Sequence, residues 1–332
     1  MGCLRLLWAA VICGGFAFGQ SPSDGSNYRL ALANHGGQLK WTADGFTILQ
    51  NSAKANGKEI GVRARDAVGR LTFLGFLFLV PEDAPLTSAK CRDGAIAQEQ
   101  QTRPGMKIAS TTELAREHDL PVALSSYTWR SKDGTPGYTV RGFVATGELC
   151  GDLEFDSAKP ISAEDADLKA IFASCQLDPL YAPQFRDVLL YAQVLYENQS
   201  YPASAAMLQK ALTMIPADGA PFGSVKAAKR VVTDQAGMAY GLAGDLAQAR
   251  AILALGITED PDYPMYYYNL ACADAAEKKL PEAQRHLQQA FERKKNLNPG
   301  ETMPDPSTDD SFTPYRNNQP FWTFVVSLET GK

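Results

Sequence analysis

The chain of 332 residues is long enough for about two domains of ordinary size. A composition of 45% hydrophobic, 21% charged and 10% aromatic residues excludes long disordered or collagen-like architectures. The formal charge of −5 excludes recruitment of nucleic acid by counterion release, and it is too small for an acidic solvating tail.

The chain begins MGCLRLLWAAVICGGFAFGQ, with Arg5 first, an apolar run from Leu6 to Cys13, then Ala17 and Gly19 at alternate positions. That order of charge, core and small residues predicts a signal peptide over residues 1–19, cleaved near Gly19. The core is too short for a membrane span, which needs about 20 apolar residues, and the run from Leu71 to Val80 is half that length. No transmembrane segment is expected, and the mature protein is expected to be periplasmic or secreted. Past the leader, Cys91, Cys150, Cys175 and Cys272 remain. An oxidising compartment permits disulfides among them. Cys91 and Cys150, in polar, turn-rich settings of one domain, are the favoured pair. Cys175 and Cys272 lie on helical faces and read as small buried hydrophobes.

From Tyr28 to Phe155 the punctuation is that of strands. In KEIGVRARD, Ile60, Val62 and Ala64 alternate with Glu59, Arg63 and Arg65, and a turn at Asp66–Gly69 leads into the apolar run at Leu71. These two segments predict a hairpin. A second hairpin is predicted from PVALSSYTW and GYTVRGFVAT, joined through Asp133-Gly134, with a short strand following over Leu149 to Phe155. Residues 81–121 read as loop, with a short helix around Thr111 to Glu117. Ser162 and Asp165 then make a capping-box start, and Leu168, Ile171, Phe172 and Cys175 form one apolar stripe. Residues 20–178 are therefore expected to form a mainly antiparallel sheet with a covering helix. The chain as a whole is expected to be α+β.

Residues 179–300 are helical in pattern, and they repeat. Gly237 to Ala271, Leu253 to Leu287 and Gly256 to Ala290 are each separated by 34 positions. Ala192 to Gly237 is separated by 45, which places an insertion of eleven residues near Pro216 to Ser224. Small residues Ala192, Gly237 and Ala271 suit close approach of helix backbones, and Leu208, Leu253 and Leu287 fill the space behind them. Tyr201, Leu246 and Leu280 mark turns, and Pro216 and Pro261 end helices. On these residues the segment resembles the tetratricopeptide repeat (TPR) family, with repeats over 183–216, 230–263 and 264–297. Ser204 and Asp274 depart from the family pattern. Residues 301–332 read as a capping segment, in which Phe321, Phe324, Val325 and Leu328 cover the hydrophobic end and Phe312 and Tyr315 pin the loop.

The TPR resemblance implies a concave groove lined by Arg186, Leu189, Gln193, Tyr196, Glu197, Asp234, Met238, Leu242, Met265, Tyr268 and Cys272. Chaperone-binding members grip a terminal carboxylate with Lys, Arg and Asn. This groove has one Arg and neither of the others, so an apolar or aromatic peptide is the better fit. The competing reading is that these side chains bury against the protein itself. The segments LCGDLEFDSAKP and DADLKAIFAS, with Ile171 and Ser174, are similar to the sandwich domains of the extrinsic photosystem subunit (PsbP-like) fold. His35, His118 and His286 are far apart in sequence, and no metal, P-loop, nucleophile-elbow or dinucleotide motif occurs. No metal or cofactor is expected. The expected function is an exported, non-enzymatic interaction or scaffold protein binding a peptide or protein partner, in a setting such as envelope complex assembly. The alternative is a hydrolase-like enzyme using Cys150 with His35 or His118 as base.

Overall fold

The computed structural model describes residues 27–80, 85–103 and 105–330. The expected signal peptide and its expected cleavage near Gly19 lie outside the described residues. Antiparallel sheets come first in the chain and helices second, an α+β architecture whose two compact units divide between Asp187 and Val188. Among the described residues no helix is long and apolar enough to cross a membrane.

The N-terminal unit holds two antiparallel sheets. The smaller joins β1 (Asn27–Ala31), β2 (Gln38–Thr42) and β11 (Gln176–Asp178) in that order. The larger runs β3 (Phe46–Ala53), β4 (Glu59–Asp66), β5 (Leu71–Leu79), β10 (Leu149–Ser157), β9 (Pro136–Gly147), β8 (Val122–Arg130), β7 (Lys107–Leu114), with β6 (Leu86–Thr87) beside β9. Both expected hairpins are present, β4–β5 and β8–β9. The edge strands β3 and β7 each carry an irregularity, at Ile48/Gln50 and Ile108/Ser110, of the kind that discourages pairing with a foreign strand.

One face of the large sheet is apolar and covered. Phe73, Leu77, Leu153, Phe155 and Val140 are buried there, with Phe73 stacked on Phe155 at 5.0 Å and Phe155 edge-on to Phe172 at 5.5 Å. Phe172 belongs to α2 (Ala166–Ala173), the expected covering helix. That helix begins four residues after Ser162. Ser162 and Asp165 instead close a turn, in which Ser162 N–H donates to Asp165 and Glu164 N–H to Ser162 Oγ.

The segment between the hairpins differs from expectation. Lys107–Leu114 is strand β7, so no helix occupies Thr111 to Glu117, and a 15-residue helix, α1 (Ser88–Thr102), precedes it. Thr87 caps α1 by accepting from Lys90 N–H at 3.3 Å. The helix lacks an apolar stripe because the residues it turns toward the sheet include Glu99, a charged group.

In the C-terminal half seven helices follow one another: α3 (Phe185–Glu197), α4 (Tyr201–Leu212), α5 (Val225–Leu242), α6 (Leu246–Glu259), α7 (Pro264–Ala276), α8 (Leu280–Glu292) and α9 (Gln319–Thr330). From α4 to α8 each packs on the next. The turns after α3, α5 and α7 close in the same way. Ser200 N–H donates to Leu195 O, Asp245 N–H to Tyr240 O and Lys279 N–H to Asp274 O, and the preceding residues Gln199, Gly244 and Lys278 are all left-handed, with φ of 61°, 82° and 61°. This is the Schellman closure, repeated at spacings of 45 and 34 residues. Ser204, a departure from the small-residue pattern, is buried and donates its hydroxyl to Ala192 O at 2.8 Å.

Only one of the three left-handed positions is glycine. Lys278 is exposed and pays the steric cost of its Cβ at positive φ. Lys278→Gly is therefore expected to raise the stability of the helical unit by about 0.5–1 kcal/mol, read from the denaturant midpoint.

Candidate functional site

The residues expected to line an open groove are largely buried. Leu189, Tyr196, Asp234, Met238, Met265 and Cys272 are each 7% exposed or less, and Tyr268 is fully covered. Gln193 and Leu242 are half-buried, and only Arg186 and Glu197 are exposed. The expectation that Tyr196, Met238 and Tyr268 line an open groove is thus corrected, and the competing reading, burial against the protein itself, describes them. At α7 the reason is visible. Tyr268 donates to Asp309 Oδ2 at 2.9 Å and packs edge-on to Phe312, which stacks on Phe321 of α9. Tyr263 donates to Glu301 at 3.0 Å, and Tyr315 donates to Ala275 O at 2.8 Å. The segment from Glu301 to Tyr315 therefore follows α7 from its first turn to its last and occupies that face. Asp234 on α5 accepts from Asn269 of α7 at 2.6 Å, and burial, with the Glu301 charge, pushes its carboxyl up to about 8.

Asp274, the second departure from the repeat pattern, is 2% exposed. It accepts from Arg250 of α6 at 2.7 Å and from His286 Nδ1 of α8 at 2.6 Å, which ties three helices together. His286 is accordingly not a free surface residue. Burial, aided by the Arg285 and Arg250 charges, holds its pKa below the usual value, against the pull of Asp274. Its Nε2 lies 2.9 Å from Arg285 Nη2, a pure donor, so the ring is neutral, donating from Nδ1 and accepting at Nε2.

In the N-terminal unit Cys91 of α1 and Cys150 of β10 form a disulfide, with Cα atoms 6.4 Å apart. Leu86, Phe143 and Ala145 pack around it. Cys150 is wholly buried and bonded to Cys91, so it carries no thiol for the hydrolase alternative, and His35 and His118 are both exposed. Cys175 and Cys272 are free and buried.

Sequence reasoning missed a charged cluster on the same face of the sheet. Arg141 of β9 bonds Asp152 of β10 through Nε at 3.3 Å and also through Nη2. The same guanidinium lies 3.2 Å from Glu154 and 3.5 Å from Glu99 of α1. Arg103, just past α1, pairs with Glu99 and reaches Glu154 at 3.7 Å, and its guanidinium covers the Trp129 ring at 4.8 Å. Arg141, Asp152 and Glu154 are each 8% exposed or less. The available signal was the alternation of β10, which puts Cys150, Asp152, Glu154 and Asp156 on one face, opposite Arg141 and Phe143 of β9. Among the described residues no group of His, Cys, Asp and Glu could hold a metal ion.

No family model matches the chain, and no curated protein matches it. Several solved structures are similar, two of them as follows. A Bacteroides thetaiotaomicron VPI-5482 protein is 11% identical, with a TM-score of 0.30 over 65% of this chain and 78% of its own. Cyanobacterial PsbP (CyanoP) from Synechocystis sp. PCC 6803 is 10% identical, with a TM-score of 0.34 over 48% of this chain and 96% of its own. At such scores neither likeness bears on what this chain binds.

Two outcomes follow from this geometry. Replacing Cys91 and Cys150 by Ser removes a cross-link over a sequence separation of 59, at an expected cost of about 4 kcal/mol in urea unfolding of the N-terminal unit. A neutral buried His286 favours folding above its ordinary unfolded pKa of 6.5, and that contribution is lost as pH falls through its lower folded value. His286→Gln should therefore cost about 1–2 kcal/mol at pH 7 and measurably less at pH 5, when both proteins are unfolded in parallel.

Proposed function

We propose that this chain is an exported, non-enzymatic interaction protein whose helical half is a TPR-type array presenting a surface to a protein partner. The observation that carries the reading is the thrice-repeated turn, with its left-handed residue at Gln199, Gly244 and Lys278 and the same closing hydrogen bond each time. Side-chain packing agrees with it. A Cβ added at Gly237 would lie 2.7 Å from Leu253, and one at Gly256 would lie 2.8 Å from Tyr266, so small residues sit where the family pattern needs close approach.

The leader pattern of Arg5 and Leu6 to Cys13 supports export, and a Cys91–Cys150 bridge fits an oxidising compartment. The partner meets what the array leaves exposed. On α3 that includes Glu197 and the half-buried Gln193, which are bonded to each other at 3.0 Å, and on α5 the half-buried Leu242. These are polar groups with one apolar neighbour, which replaces the apolar peptide expected for a groove of free aromatics.

Affinity capture from an envelope extract tests the reading when the full-length wild type is run beside a Glu197→Arg, Leu242→Glu double variant. The expected outcome is one or more proteins retained by the wild type and released at least tenfold more readily by the folded double variant. Equal retention by both would remove the assignment of this surface.

A further inference from the structure

The cluster around Arg141 is unbalanced. Glu99, Asp152 and Glu154 supply three carboxylates within ion-pair distance of two guanidinium groups, Arg141 and Arg103. A buried site cannot hold an uncompensated charge without large cost, so one of the three must keep a proton. Glu154 is the one whose surroundings demand it. From α1 it faces Glu99 and Arg103, from β9 Arg141, from β8 the Tyr127 phenol, and from its own strand Asp152 and Asp156. The residue opposite it on β5 is Leu74, which carries no charge. Burial, together with the two aspartates, pushes its carboxyl up to about 8 against the pull of both arginines.

The cluster also decides where α1 is attached. Early in the helix the attachment is covalent, through Cys91. At the other end, past the buried Ile96, it is ionic, through Glu99 and Arg103, and both of those contacts end on the cluster.

We propose that the C-terminal half of α1 is a proton-operated latch, seated on the sheet while the cluster holds one proton and released when it does not, with the Cys91–Cys150 bridge as the fixed end. The sign follows from the geometry. Seating raises the proton affinity of Glu154, so the protonated cluster favours the closed helix. When residues 96–103 swing away, Glu154 meets water and gives its proton up toward the ordinary carboxylate range. Closure is therefore strongest in acid, weakens as pH rises toward about 8, and changes no further above it. Opening uncovers the Trp129 ring and the Arg141 guanidinium.

Amide hydrogen exchange on the intact, oxidised, full-length chain tests this, with rates corrected for intrinsic exchange at each pH. Protection of residues 96–103 is expected to fall at least tenfold between pH 6 and pH 8 and to level off above, while residues 88–95 and strands β9 and β10 keep theirs. In Glu154→Gln, which carries a neutral group at all pH, protection of 96–103 should stay high and lose its pH dependence. Should that variant fail to fold, Asp156→Asn removes one of the charges that raise Glu154 and should end the fall in protection at lower pH, with a smaller slope between pH 6 and pH 8. A wild-type profile already flat from pH 6 to 9 would overturn the latch. So would an unchanged slope in a folded variant, or loss of protection by 88–95 in step with 96–103.

Discussion

Both units depend on the same constraint, a large side chain seated on backbone that has no Cβ. In the N-terminal unit a Cβ at Gly75 would lie 3.0 Å from the Trp41 ring and one at Gly151 2.8 Å from Leu39, while the Phe172 ring occupies the space over Gly142. Those three contacts bring β2 and α2 down onto β5, β10 and β9. In the helical unit Leu253 sits on Gly237 and Tyr266 on Gly256. Interiors are packed at crystal-like density, so the distance between two layers is set by the bulkiest contact that must fit between them. Glycine at the contact point lets the ring lie against the neighbouring backbone, and the rest of each interface closes around that approach.

That constraint explains why some of the architecture was legible in the sequence. The 34-residue spacing of Gly237 with Ala271 and of Gly256 with Ala290 marks positions where helices approach, and seven helices follow one another there. Alternation in KEIGVRARD showed because β4 has one face on the core. Helix α1 was not legible for the opposite reason. Its covered side mixes the disulfide, Ala95 and Ile96 with the charged Glu99 and Arg103, so the hydrophobic periodicity that reveals other helices is broken. Strand β7 was obscured because its residues are exposed on both faces, which leaves no alternation to read.

Whether the candidate groove is open or covered by the chain itself was left undecided in the sequence for a reason of the same kind. Residue types at inner-helix positions show which side chains leave the helix on one face, but they do not show what lies over that face. Tyr268 and Cys272 have the composition of an interface anchor, and they are one: the partner is Asp309 and Phe312 of the same chain, forty residues on. An aromatic run near a chain end, such as Phe312, Tyr315, Phe321 and Trp322, is an equally good signal for self-docking as for ligand capture, since both bury aromatic area against a complementary surface.

The buried charges divide along the same line as the fold. In the helical unit, Asp274 is shared by Arg250 and a neutral His286, and Glu277 is met by Arg250 and by Lys279 at 2.9 Å, so two cations match two carboxylates and the ring needs no proton. There, His286 disfavours acid while the buried Asp234 carboxyl favours it, and the two tendencies oppose one another. In the Arg141 cluster of the N-terminal unit carboxylates outnumber guanidinium groups, and the excess sits beneath the end of α1 that lies past its buried Ile96. Charge imbalance and ionic attachment thus coincide at the end of α1, which makes that end the part of the unit whose seating would respond to a single proton.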